Sequence, residues 1–254
     1  MKLVQAATLL GALAASNFVA AAAPQNGSKV DPALRTDAQL RSYGIEITPE
    51  SLLTALGNSN PRVRYLSAFE LIDTLGKDAL PAIKGALAAE TDPFARVELA
   101  VALVAAKDGA GVEHLKMTCA DPNLPLSAID MATQTLQQFH LQSGHCAGAI
   151  LASLPQPGNG EWRAIALTLL PTIYVQVSQD QKDRIVIAIE EMLRDNQQEQ
   201  PVHLRASQAL AQIGLSSSIE PIRDAISREK DPNIRSSLER DLETLEAKKP
   251  PIHP

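Results

Sequence analysis

Aromatic residues are scarce in this chain. They make up 3% of 254 residues, with Trp162 the single tryptophan, so a core must be built from Ala, Leu, Ile and Val, a composition that favours helices. Basic runs are lacking too. A formal charge of −6 and a pI near 5.4 leave little electrostatic footprint for nucleic acid, and that class of partner is set aside. There is no Gly-rich phosphate loop, no G-x-S-x-G elbow and no H-E-x-x-H, so no familiar catalytic constellation is present. Beyond the N-terminus no apolar run is long enough to span a membrane. Cysteine is limited to Cys119 and Cys146. What remains is 45% hydrophobic composition in a chain long enough to bury a real core.

The N-terminal stretch MKLVQAATLLGALAASNFVAAAA carries one early lysine, then an uncharged alanine-rich run ending in small residues. This is the pattern of a secretory signal peptide over 1–22, with cleavage expected after Ala22. The chain is therefore expected in the periplasm or outside the cell, with no membrane insertion once the signal is removed. Residues 23–47 read as a linker, with "DAQLRSYGIEI" able to form a short capping helix, and 248–254 ("KKPPIHP" at its end) as an extended tail whose prolines exclude helix.

From residue 48 to 247, apolar-periodic segments alternate with turn signals such as Gly57-Asn58, Asp92-Pro93, Gly214 and Asp231-Pro232. Aligned on Arg64 of "NPRVRYLSAFEL", equivalent positions are Arg96, Ile129, Arg163, His203 and Arg235, in steps of 32, 33, 34, 40 and 32 residues. Three residues after each stands a small or apolar residue (Ser67, Leu99, Ala132, Ala166, Ala206, Leu238). Seven after stands a leucine: Leu71, Leu103, Leu136, Leu170, Leu210 and Leu242. Positions i, i+3 and i+7 share a helical face, so the repeat is a core stripe with a polar head. Such a period predicts an all-α solenoid of about six helical hairpins. The expected pairs are 48–57 with 61–75, 79–90 with 93–107, 110–120 with 124–140, 146–154 with 161–176, 179–197 with 201–213, and 217–229 with 232–247. Asn60, Asp92 and Asp231, each followed by proline, are expected N-caps of second helices.

The lines "NPRVRYLSAFELIDTLG", "DPFARVELAVALVAAKD" and "DPNIRSSLERDLETL" resemble HEAT repeats, in particular the HEAT-like repeats of the phycobilisome lyase type. The resemblance implies a right-handed, armadillo-like α-α superhelix whose second helices line a concave face, with the heads Arg64, Arg96, Arg163 and Arg235 supporting turns and neighbouring repeats. Ile129 and His203 would interrupt that row. Bilin-lyase chemistry belongs to particular members and is not implied for an exported chain. HEAT-repeat iron hydroxylases that modify a lysine share the architecture but need repeated His-Glu pairs, and no His-Glu dipeptide occurs here.

His140, His145 and Cys146 form the one local cluster with ligand chemistry, H-x4-H-C, and Cys119 could be a fourth ligand. Zinc asks for tight spacings on rigid elements, whereas "LQSG" reads as a helix-ending turn, so no metal is expected. In a regular solenoid Cys119 ends one first helix and Cys146 begins the next. That places them on opposite edges, about 15 Å apart for a ten-residue helix. A disulfide needs Cα atoms within roughly 7 Å, so geometry disfavours the bond. An oxidising compartment pulls the other way, and Pro122 and Pro125 would permit an irregular third unit. Trp162 is expected in the core.

These features lead to the expectation of an exported scaffold, monomeric and without cofactor, that is not an enzyme and binds an unidentified protein through its concave face. Arg62, Glu70, Asp73, Glu98 and Arg240 are the expected contacts. Two alternatives are an accessory enzyme or metal-dependent protein using His140, His145 and Cys146, and a structural envelope spacer.

Overall fold

A computed structural model describes residues 36–155, 160–195 and 198–248. The expected signal peptide, the linker up to 35, the loop at 156–159 and the tail from 249, with His253, lie outside the described residues. Within them the chain is all-α, a helical-repeat fold of the solenoid class. Its helices are α1 (Thr36–Ser42), α2 (Pro49–Ala55), α3 (Pro61–Leu75), α4 (Leu80–Ala89), α5 (Pro93–Ala105), α6 (Gly109–Ala120), α7 (Leu126–Gln138), α8 (Ala147–Ser153), α9 (Gly160–Tyr174), α10 (Gln179–Arg194), α11 (Gln200–Ile213), α12 (Ile219–Arg228) and α13 (Pro232–Ala247).

The chain divides into two compact units, one up to Leu115 and one from Lys116 onward. In the first, α2 packs on α3 and α4 on α5 as hairpins, the second helices α3 and α5 lie side by side, and α1 covers α3. In the second, α8–α9, α10–α11 and α12–α13 are hairpins. Their second helices continue the row α7, α9, α11, α13, while the first helices α8, α10 and α12 stack alongside.

The repeated stripe supplies the core. Leu71, Leu103, Leu136, Leu170 and Leu210 are fully buried, as are Ser67, Leu99, Ala132, Ala166 and Ala206. Leu242 is only half-buried, and among the described residues no hairpin follows α12–α13 to cover it. Three second helices, α3, α5 and α13, start where a side-chain oxygen accepts from orphan amides, whereas α7 and α11 have no such cap. Asn60 accepts from the Arg62 N–H, Asp92 from Phe94 and Ala95, and Asp231 from Asn233 and Ile234, each followed by proline in the first turn. Gly214 ends α11 with φ +81°, a conformation open to glycine without steric cost.

One expectation is corrected here. Cys119, in the last turn of α6, and Cys146, just before α8, form a disulfide with Cα atoms 4.8 Å apart. The opposite-edge argument assumed neighbouring first helices stacked in register. Instead, the last turn of α6 meets the entrance of α8. After α7 the chain stays beside the end of α9: Gln137 Nε2 donates to Thr172 Oγ1, and the Ser143 amide donates to Gln176 Oε1. His140, at φ +55°, turns the chain there, and the Leu141 amide closes on the Leu136 carbonyl. The irregularity sits in the third repeat, whose turn at 121–125 holds Pro122 and Pro125 and an Asp121 side chain accepting from the Asn123 amide.

Candidate functional site

The head arginines sit where one hairpin's turn meets the next. Arg64 donates through Nη1 to the carbonyls of Asn58 and Ser59, in the turn of its own hairpin. Through Nε and Nη2 it grips both oxygens of Glu90, in the next hairpin, at 2.5 and 2.6 Å. Burial pushes the Glu90 carboxyl up, but the Arg64 hydrogen bonds and the amides of Asp92 and Thr91 outweigh it and hold the group below the usual carboxylate range. Hydrogen bonding to Glu90 in turn raises Arg64. Arg163 repeats the arrangement: Nε donates to the Leu154 carbonyl in its own hairpin and Nη1 to Gln198 Oε1 in the next. Arg235, in the last described hairpin, bonds the Glu229 carbonyl of its own turn. Arg96 Nε is buried without a hydrogen-bond partner.

Glu90 is a residue the sequence reading passed over, yet a signal was there. "ETDP" and "EKDP" place a glutamate six residues before Arg96 and Arg235. Both Glu90 and Glu229 fold back to accept from the two following backbone amides, and Asn58 does the same for the Asn60 amide. An open groove of about 560 Å³ runs beside the Arg64–Glu90 pair, with Leu53, Leu56, Ala82, Ala86 and Ala89 along its apolar side.

The expected contact residues divide. Arg62 is exposed and donates to Gln39 Oε1 of α1 at 2.7 Å. Asp73 and Arg240 are exposed and Glu70 is half-buried. Glu98 is a correction: it is 7% exposed, and burial pushes its carboxyl up to about 7. Its position two residues past the head turns it inward, near enough to Tyr65 to raise that phenol further beyond the effect of burial. A partner cannot reach it as a surface charge.

A different set of side chains lines the second helices of the second unit. The positions five and nine after each head hold Gln134 and Gln138, Thr168 and Thr172, Gln208 and Gln212, Arg240 and Thr244. Residues four apart share a helix face, and none of the eight is buried. Seven are uncharged hydrogen-bonding groups. The first helices of this unit instead expose charges, among them Asp180, Asp183, Arg184, Glu191 and Arg194 on α10 and Glu220, Arg223 and Asp224 on α12. The sequence reading missed this row because it weighed charged candidates.

The cluster at His140, His145 and Cys146 does not form a metal site. The Cys146 sulfur is bonded to Cys119, so no thiolate is available, and both histidines are exposed. Among the described residues no three His, Cys, Asp or Glu side chains gather as a ligand set. Trp162 is buried, with Nε1 donating to Ser153 Oγ at 2.6 Å. No described helix is long and apolar enough to cross a membrane.

No protein-family model matches the sequence, and no curated protein matches it. A solved structure of human deoxyhypusine hydroxylase in complex with glycerol is similar at 17% identity and a TM-score of 0.35, covering 86% of this chain and 92% of that one. The helical-repeat fold stands on the structure above, whereas membership of the phycobilisome lyase type is not shown. The expectation that the chain is not an enzyme is withdrawn, since that solved structure is of an enzyme. At that TM-score the likeness carries no argument for a particular activity.

Proposed function

We propose that the chain binds another protein through the exposed faces of its second helices, with the neutral row on α7, α9, α11 and α13 as the contact surface. The row itself is the observation that carries this reading. Across four successive second helices the same two register positions hold Gln or Thr in seven of eight cases, while the first helices α10 and α12 expose charges; α8 has none, and α13 exposes charges beside the row, such as Glu239 and Glu243. Solvation alone does not need such a division, because charged side chains would serve as well on an exposed helix face. A surface rich in amides and hydroxyls can pair with polar groups of a partner without desolvating charge. Gln137 donates to Thr172 across α7 and α9, and Arg205 donates to Gln208 on α11, so neighbouring side chains orient two members of the row.

The chain is further proposed to act after export, in the periplasm or outside the cell. The signal-like residues 1–22 support this, and so does a disulfide, which persists in oxidising compartments. Capture from a periplasmic or secreted fraction tests the binding reading. Thr172→Glu with Gln212→Glu is expected to reduce capture by about tenfold or more, since a desolvated charge opposes the same partner, whereas Arg184→Glu on α10 leaves it intact. Equal capture by both variants removes the proposal and favours a spacer.

A further inference from the structure

Three of the four head arginines donate to a carbonyl in the turn before their own helix: Arg64 to Asn58 and Ser59, Arg163 to Leu154, and Arg235 to Glu229. Arg96 shows no such bond, and its Nε–H is buried without an acceptor. The carboxylates that precede it in the chain are committed elsewhere. Both oxygens of Glu90 are gripped by Arg64, and Asp92 accepts from the Phe94 and Ala95 amides. Glu98 is two residues on, and side chains two apart on a helix do not face each other. An arginine keeps its proton, so the guanidinium cannot relieve this state by becoming neutral.

A second nitrogen in the same condition lies beside it. The chain turns at Lys107, φ +63°, and α6 returns along α5 so closely that a Cβ on Gly111 would overlap the Ala100 carbonyl and the Leu103 Cβ. Three residues further along α6 stands His114, and one turn back along α5 from Ala100 stands Arg96. His114 Nε2 is buried and also lacks a hydrogen-bond partner. Burial, and after it the charge of Arg96, hold the imidazole below the usual histidine range, which leaves it a neutral ring with one N–H to donate. A buried donor without an acceptor costs free energy, and one group with several acceptor oxygens satisfies both nitrogens at once. We propose that Arg96 and His114 form a binding site for a small oxyanion, a carboxylate or a phosphate, which accepts from the Arg96 guanidinium and from His114 Nε2–H. Both side chains are half-buried, so each keeps a part open to an entering anion. A guanidinium edge matches two oxygens of either group, in charge-assisted bonds about twice as strong as neutral ones. A water molecule would satisfy the nitrogens and leave the charge unmet. The site belongs to the first unit and does not depend on the neutral row of the second.

Inorganic phosphate and acetate are the probes, each added to the full chain at pH 7 against chloride at matched ionic strength. Nuclear magnetic resonance of the 15N-labelled protein follows the Arg96 Nε–H and the His114 ring. Saturable shifts of both signals with phosphate, acetate or both, and none with chloride, support the site. The probe that binds more tightly shows whether it prefers a phosphate or a carboxylate. Arg96→Gln is expected to weaken binding by about thirtyfold or more, and His114→Leu by about tenfold. His114→Gln, which returns an N–H near the position of Nε2, is expected to stay within about threefold of the wild type. No saturable shift with either probe at tens of millimolar, an equal response to chloride, or undiminished affinity in Arg96→Gln overturns the proposal. If Arg96→Gln does not fold, the histidine variants decide. Equal affinity of His114→Leu and the wild type then overturns it, and a loss in His114→Leu that His114→Gln restores supports it.

Discussion

At the scale of single residues, two carboxylates show how burial with and without a partner differ. Glu90 has a side chain only 1% exposed, and its charge persists because Arg64 and two backbone amides meet it. Removing the guanidinium strands that charge. Arg64→Ala is expected to destabilise the chain by about 3 kcal/mol, with Arg64→Lys recovering only part, since an ammonium cannot match both oxygens. Denaturant midpoints of the two variants check this. The sign with pH follows from the lowered Glu90 value: its contribution is present above the unfolded-state range and is lost as pH falls through the folded-state value. Glu98 runs the other way. With its carboxyl raised from 4.5 to about 7 by burial, its contribution is fully present below the unfolded value and is lost as pH rises through 7. Glu98→Gln, which removes the charge and keeps the shape, should gain stability relative to wild type between pH 5 and pH 8, reaching about 3 kcal/mol. Equal differences at both pH values in urea titrations would show that Glu98 does not titrate there. The head position of Arg64 was legible in "NPRVRYLSAFEL" because it recurs. The partner Glu90 recurs as well, in "ETDP" and "EKDP", but a side chain that meets the next repeat cannot be told from a solvated turn residue until the hairpins are stacked.

At the scale of elements, caps and stripe were readable from local chemistry. An Asn or Asp followed by proline satisfies orphan amides whatever surrounds it, and leucines at a fixed helical spacing must face something apolar. The disulfide was not readable, because it depends on how far the third repeat departs from regular stacking. Local signals at Asp121, Pro122 and Pro125 mark that a departure is possible without giving its direction. The bond closes a segment with a sequence separation of 27. Constraining such a loop in the unfolded chain is worth about 3 kcal/mol, so Cys119→Ser with Cys146→Ser should lower the urea midpoint correspondingly with little change in slope. An unchanged midpoint would mean that α6 and α8 hold their places without it.

At the scale of the molecule, the helical-repeat fold followed from the period, since short hairpins bury their apolar faces only by stacking. Function did not follow in the same way. The stripe that encodes the fold occupies the positions three and seven after each head, and the proposed contact row occupies the positions five and nine, where packing imposes no choice. Outside the core, a role is recorded through repeated chemistry, and Gln134, Gln138, Thr168, Thr172, Gln208 and Gln212 are such a repeat. Charged residues drew attention first. Of the contacts expected from sequence, Arg240 lies on the row and Glu98 lies inside the protein. The most direct test of the binding account is site-specific photo-crosslinking in the exported fraction, with the photoreactive group placed in turn at Gln138, Thr172, Gln212 and, on the charged first helix, Arg184. The account predicts one protein adduct from the three row positions and none from position 184. An adduct from position 184 alone would contradict it.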